Sequence, residues 1–233
     1  MFQVLQADLL KVKRKGLWFL VVLGPVGVIA LQIVNYGIRY EYLMKLFPNV
    51  WEGLLHQVNL FLPTALLLGI AILTSMVATI EHQQNGWKQL ISLPIPRWTV
   101  FSSKFLIVST MLVVSCFLTF VGTVGLGIGL GFENIPYGAI IKNSFYPLFA
   151  GLPVIAVQLW LSIVCKNQSI PLSVGIFASI FSMYAHNLPN WVFWLWPYLV
   201  GYANQTVYVY IGIALGLGIL IMGIVDFNRR DVH

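Results

Sequence analysis

The chain has 233 residues, 59% of them hydrophobic and only 9% charged, with a mean hydropathy of +0.86. Soluble domains carry roughly 25% charged residues, so this balance excludes an ordinary soluble domain and indicates an integral membrane chain. The formal charge of +6 matters for where its basic residues fall; no stripe of basic residues interleaved with stacking aromatics is present, so nucleic acid is not an expected partner.

Five stretches contain no Asp, Glu, Lys or Arg: 16–38, 53–80, 105–132, 143–165 and 167–225. About 20 apolar residues cross roughly 30 Å of hydrocarbon, so the first four hold one span each and the fifth has room for two. The expected fold is all-α, with six transmembrane helices. The longest polar connection, 81–104, is too short for a soluble catalytic domain.

At the N-terminus, Phe2, Leu5, Leu9 and Val12 recur at helical spacing beside Gln3, Gln6 and the basic cluster 11–15. This pattern predicts an N-terminal amphipathic interfacial helix over 1–15, lying on the inner leaflet with its basic side chains near anionic headgroups. A frayed leader is the plainer alternative. The first span is expected over 17–38, with Trp18 at its inner boundary and Tyr36, Tyr40 and Tyr42 at its outer one, as aromatic belts require. It is too long for a signal peptide, and Ala30-Leu31-Gln32 is a poor cleavage site. An outer loop, 39–52, is expected next.

The second span, 56–80, leads into a polar cytoplasmic segment that contains Gly86, Pro94 and Pro96. Within it Trp87, Leu90, Ile91 and Leu93 can form one face of a short helix that stops before Pro94. A third span follows Lys104. The fourth, 146–164, contains Pro153 and Gln158 and is joined to a fifth by 165–168 alone, which predicts a tight cytoplasmic hairpin. The fifth, 169–184, precedes an aromatic outer segment, 187–203, with Trp191, Trp194 and Trp196, expected to be interfacial or re-entrant. A last span, 207–225, ends at Asp226.

With the N-terminus cytoplasmic, the inner face carries Lys11, Lys13, Arg14, Lys15, Lys88, Arg97, Lys104, Lys166, Arg229 and Arg230, against Arg39, Lys45 and Lys142 outside. That asymmetry places both termini in the cytoplasm. Cys116 and Cys165 are poorly placed for an extracellular disulfide and read as small apolar packing residues.

The absences narrow the function. Charged residues avoid the middle of every span, which argues against proton coupling or voltage sensing. His56, His82, His186 and His233 show no HExxH spacing, no Ser–His pair is legible, and no Gly-Lys dipeptide exists to build a phosphate-binding loop. The chain is therefore expected not to be an enzyme, and any ATP-driven work requires another subunit. Gly125/Gly129, Gly127/Gly131 and Gly212/Gly216 stand four residues apart, a spacing that lets helices approach closely, either within the chain or between protomers. Gln32, Asn35 and Gln158 should face protein or a cavity, and for Gln158 both interhelical hydrogen bonding and a substrate path remain open.

The run from Glu81 to Arg97, with Gly86, Leu93 and Pro94 inside it and Lys104 beyond, resembles the acidic–glycine–leucine–proline–arginine segment of type-2 ATP-binding cassette (ABC) exporter permeases. The likeness extends over the whole chain and is greatest to the permease subunits of lantibiotic-immunity and bacitracin-resistance transporters. It implies that 83–93 is a short cytoplasmic coupling helix docking on a separate ATPase through Gln83, Gly86, Trp87, Lys88, Leu90 and Leu93, next to Pro94. Glu81 and Arg97 would then form ion pairs or a hinge, and 1–15 would be the connecting helix. An ordinary solvated loop is the plainer account. The resemblance further implies a single permease domain over 1–233 in a bacterial plasma membrane, a second permease chain, identical or a sister subunit, and two ABC ATPase copies holding ATP and Mg. It also implies outward transport of an amphipathic cargo such as an antimicrobial peptide, with Asn35, Gln158 and Trp194 as candidate path residues. Rival readings are a lipid or haem-like cargo, a non-transporting accessory or sensor protein, and an unrecognised intramembrane enzyme.

Overall fold

The computed structural model describes residues 2–13, 15–83, 96–187, 189–200 and 204–229. Its regular elements are helical: α1 (Phe2–Lys13), α2 (Leu17–Leu46), α3 (Val50–Gln83), α4 (Arg97–Gly129), α5 (Tyr137–Ala150), α6 (Leu152–Val164), α7 (Ser169–Phe181) and α8 (Thr206–Arg229), with 3-10 turns at Ser182–Asn187 and Phe193–Tyr198. Helices α2, α3, α4 and α8 are each long and apolar enough to cross a membrane, and α5 with α6 makes a fifth such unit bent by 41°. The shorter apolar stretch Ser169–Tyr184 rises only about 24 Å at helical pitch.

Helix α3 is the hub. It packs against α2, α4, α6 and α7, and 56% of its apolar window is buried against 28% in α2 and in α8. The outward faces of α2 and α8, including Phe19, Val26, Ile38, Tyr210, Ile221 and Met222, are apolar and exposed, as a lipid-facing surface must be. Leu66, Leu67, Ile70, Ile107, Met111, Val154 and Ile155 form the central core.

Several helices outrun their expected spans. The predicted outer loop 39–52 is mostly helix: α2 continues to Leu46 after a local break at Arg39 (φ −122°, ψ 25°), leaving a connection of only 47–49 before α3. At 30 residues, about 45 Å by helical rise, α2 is longer than the roughly 30 Å of a hydrocarbon core, and Tyr40 and Tyr42 lie in its last turns. Helix α4 likewise begins at Arg97, ahead of Lys104. The predicted fourth span is two helices meeting at Gly151 and Pro153, because Pro153 has no N–H for the intrahelical ladder.

The closely packed glycines follow from this bend. A methyl group on Gly212 would lie 2.6 Å from the Phe149 carbonyl oxygen and 2.7 Å from Ala150 Cα, and one on Gly216 would meet Leu152 Cβ at 2.7 Å. Thus α8 lies directly on the backbone of the α5–α6 joint, the close approach that small residues permit. Gly127 makes room for the Trp51 ring, whereas Gly125 and Gly129 have nothing within 4 Å.

The aromatic segment after α7 is partly built into the bundle. Trp191 is exposed, but Leu195, Trp196, Pro197 and Tyr198 are buried, and Leu195 and Tyr198 join the central core. The Tyr198 hydroxyl meets the Thr64 hydroxyl of α3, Trp196 Nε1 donates to the Asn190 carbonyl at 2.7 Å, and the Tyr208 hydroxyl donates to the Val200 carbonyl. This turn enters the bundle beside the α5–α6 joint.

Candidate functional site

One end of the bundle gathers the end of α3, the start of α4, the end of α6, the start of α7 and the end of α8, with α1 laid against it. Gln168, in the turn before α7, receives a hydrogen bond from Ser75 Oγ at 3.2 Å and donates to the Ser162 and Cys165 carbonyls. A His82 ring nitrogen also lies 3.1 Å from the Ser162 carbonyl oxygen. Trp160 Nε1 donates to Asp226 at 2.8 Å, and Arg97 donates to the Asn228 carbonyl at 3.2 Å. The expected tight 165–168 hairpin is present, and its amide side chain fastens α6, α7 and α3 together.

At the centre of this end lies a group of four charges. Glu81, on the last turn of α3, accepts from Lys104 Nζ at 3.0 Å and from Lys11 Nζ at 2.9 Å. Asp8 of α1 lies 3.6 Å from Lys104 and 4.0 Å from Lys11, and accepts from Ser103 Oγ at 2.6 Å. Asp8, Glu81 and Lys104 are no more than 4% exposed. Each acid therefore meets both lysines, and the group sums to zero charge.

Burying charge is expensive, and a pair removed from water gains only where its geometry is good and its remaining polar groups are bonded. Here the Ser103 hydroxyl occupies an Asp8 oxygen, and the space among Asp8, Lys11, Glu81 and Lys104 is about 10 Å³, room for at most one water. The surrounding Val12, Val77, Ile80 and Ile107 exclude solvent. The arrangement rests on local sequence. Val4, Asp8 and Val12, spaced by four, form the buried row of α1, while Ser103 and Lys104 fall together on the inner side of α4.

This differs from the expected amphipathic stripe of Phe2, Leu5, Leu9 and Val12. Val12 is buried and Leu5 packs on the core, but Leu9 is exposed; the side chain of Phe2 lies outside the described residues. Asp8 replaces an apolar contact because two lysines and a serine are already facing it. Nothing in the leader alone reveals that role. The available signal was Asp8 as its lone acid, in register with Val4 and Val12. Ser103 could be found only through the fold.

Of the residues expected to couple to an ATPase, Glu81 is in this group and Gln83 is the exposed last residue of α3. Glu81 takes its charged partners from Lys11 and Lys104, while Arg97 at the start of α4 bonds to the end of α8. Gly86, Trp87, Lys88, Leu90, Leu93 and Pro94 lie outside the described residues, which skip 84–95. The network thus holds both flanks of that segment, the end of α3 and the start of α4, to α1.

The three candidate path residues lie in separate contacts. Asn35 Nδ2 donates to Gln32 at 3.2 Å and to Gln57 at 3.3 Å, and Gln32 donates to the Gln57 carbonyl at 2.9 Å, joining α2 to α3. Gln158 is 1% exposed and donates to the Pro171 carbonyl, joining α6 to α7. The Trp194 ring lies against Phe193 in the 3-10 turn before α8, tilted by 33° with ring centroids 4.1 Å apart. Asn35 and Trp194 are the more accessible of the three. Cys116 is in the apolar core, and Cys165 also carries a free thiol. Among the described residues no group of three or more His, Cys, Asp or Glu is placed to hold a metal ion.

Residues 4–184 match a family described as ABC-2 family transporter protein. No curated protein and no solved structure matches the chain. The matched region takes in α1 from Val4 on, the charged group and both flanks of 84–95. ABC-2 membrane permeases are non-catalytic transmembrane subunits that work with an ATPase subunit. On its apolar helices and this match, the chain is a multi-pass membrane protein that belongs to the ABC-2 family of transporter permeases.

Proposed function

We propose that this permease exports an amphipathic or membrane-associated substrate, an antimicrobial peptide of the lantibiotic or bacteriocin type, across a bacterial plasma membrane. The observation that carries the coupling part of this reading is the charged group in which buried Asp8, Glu81 and Lys104 meet the partly exposed Lys11. Through it, any push on 84–95 is delivered to α3, α4 and α1 together. Residues 83–93 would form the coupling helix, with Gly86, Trp87, Lys88, Leu90 and Leu93 facing an ATPase groove and Pro94 closing the element. ATP and Mg would sit on the partner. Two ATPase copies would serve two permease chains, identical or a sister pair, and 1–233 would act as one permease domain.

The same reading takes the chain to cross the membrane six times with both termini cytoplasmic. Helix α7 leaves the end that carries the charged group and α8 returns to it, so the short stretch Ser169–Tyr184 would complete the sixth crossing. The absence of charge from the middle of the long helices suits an apolar cargo. Asn35, Gln158 and Trp194 are proposed to line its path, Gln158 while also bonding α6 to α7.

The test is an affinity pull-down of the tagged chain from native membranes in mild detergent, read by mass spectrometry, alongside a peptide-resistance assay. The reading expects a stoichiometric cassette ATPase, lost together with resistance when 83–93 is replaced by a neutral linker. Full resistance with the linker in place would overturn the coupling role. Unchanged peptide sensitivity on deleting the whole chain would overturn the cargo.

A further inference from the structure

Helix α1 has a second face that the charged group does not use. Gly16, at φ +72°, adopts the left-handed backbone that glycine tolerates, and this turn swings α2 away from α1. Between them lies an open groove of about 640 Å³ lined by Gln6, Leu9, Leu10, Lys13 and Trp18, within the roughly 300–1,000 Å³ of small-ligand sites. Leu10 is 68% exposed and Trp18 40%. Lys13 and Lys15 are exposed beside them.

Charge identifies the occupant. Asp8 is the sole carboxylate among residues 1–38, and it is buried on the opposite face of α1 with Lys104 and Ser103. The groove side of α1 thus carries cationic Lys13 and the Gln6 amide over an apolar wall, without a carboxylate of its own. An interfacial lysine beside leucines and an indole at the start of an apolar helix matches an anionic head joined to an acyl chain.

We infer that the α1–α2 groove is a binding site for one anionic phospholipid. Lys13 and Gln6 engage its phosphate, Lys15 adds field at the headgroup, and Leu9, Leu10 and Trp18 cover the upper acyl chain. A lipid bound there braces α1 from outside while Asp8 and Lys11 hold it from inside. That consequence for coupling rests on the permease reading above; the site itself does not.

The experiment is native mass spectrometry of the full chain in detergent, titrated with phosphatidylglycerol or phosphatidylcholine. One phosphatidylglycerol per chain should be retained in preference to phosphatidylcholine. Lys13→Gln should weaken it about fivefold and Lys13→Gln/Lys15→Gln roughly 25-fold. Lys45→Gln, an equal loss of charge at the far end of α2, should leave retention unchanged. Equal retention of the two lipids, equal weakening by Lys45→Gln, or displacement by inorganic phosphate at the lipid's own concentration would each overturn the site, the last by showing a bare anion site. No ATPase is present in this assay, so its failure leaves the coupling proposal standing, and failure of an ATPase to co-purify leaves the lipid result standing.

Discussion

The two ends of the bundle are held by different forces. At one end Asp8, Glu81 and Lys104 are buried and, with the 36% exposed Lys11, mutually paired. At the other, Trp51 packs into the space left by Gly127, meets Phe132 edge to face at a 5.7 Å ring separation, and donates Nε1 to the Glu133 carbonyl at 2.7 Å. The Trp51 end depends on shape, and a small misfit can be absorbed by local movement. The charged end depends on a balance, and losing either acid leaves the buried Lys104 with one carboxylate where it had two. Such an end tends to move as one piece, which is what a segment receiving force from another subunit requires.

The sharpest way to break this contrast is Glu81→Gln. It takes from Lys104, only 2% exposed, its nearest carboxylate and leaves Asp8 at 3.6 Å as a remaining acid, so the loss should fall at the lower end of the about 3–5 kcal/mol of a broken buried pair. Unfolding of the purified protein in detergent measures the loss. Gly212→Ala comes next, because the Phe149 carbonyl and Ala150 Cα that its methyl would strike are backbone and cannot swing aside; overpacking of this kind costs about 1–3 kcal/mol. The same assay should place it at the upper end of that range.

Gly127→Ala should cost less, about 1 kcal/mol, since the obstructing Trp51 is a side chain. Its fluorescence should shift as the indole leaves the Glu133 carbonyl, in a variant whose other tryptophans are phenylalanine. Gly125→Ala, with nothing within 4 Å, should stay within about 0.5 kcal/mol of the parent. Gln32→Leu removes the bond to the Gln57 carbonyl and the acceptor used by Asn35; hydrogen bonds between membrane helices average about 0.6 kcal/mol, so its effect should be similarly small. A loss from Gln32→Leu as large as that from Glu81→Gln would erase the distinction between charged and uncharged polar contacts.

Much of the membrane architecture was legible because charge-free length is a strong signal. The α6–α7 hairpin was legible in the polar Lys166, Asn167 and Gln168 between two apolar runs. Helix ends were less legible: α2 runs on through Arg39 and Tyr40 because helical backbone satisfies its own hydrogen bonds in the interface, whatever the side chains. The bend at Gly151 could be suspected from Pro153, but its purpose, a seat for Gly212 and Gly216, is a tertiary fact. In the candidate site, Glu81 stood out as the acid that ends a long apolar run. Its pairing did not, since Lys11 is 70 residues away and Lys104 is 23, and Arg97 had looked the nearer choice.

The central claim is that Glu81 and Lys104 act as one unit across the two flanks of 84–95. A double-mutant cycle of Glu81→Gln and Lys104→Met, read by unfolding in detergent, tests it directly. The account predicts a coupling energy of about 2 kcal/mol, with the neutral double variant more stable than the sum of the single losses implies. Additive losses, with coupling below about 0.3 kcal/mol, would contradict it.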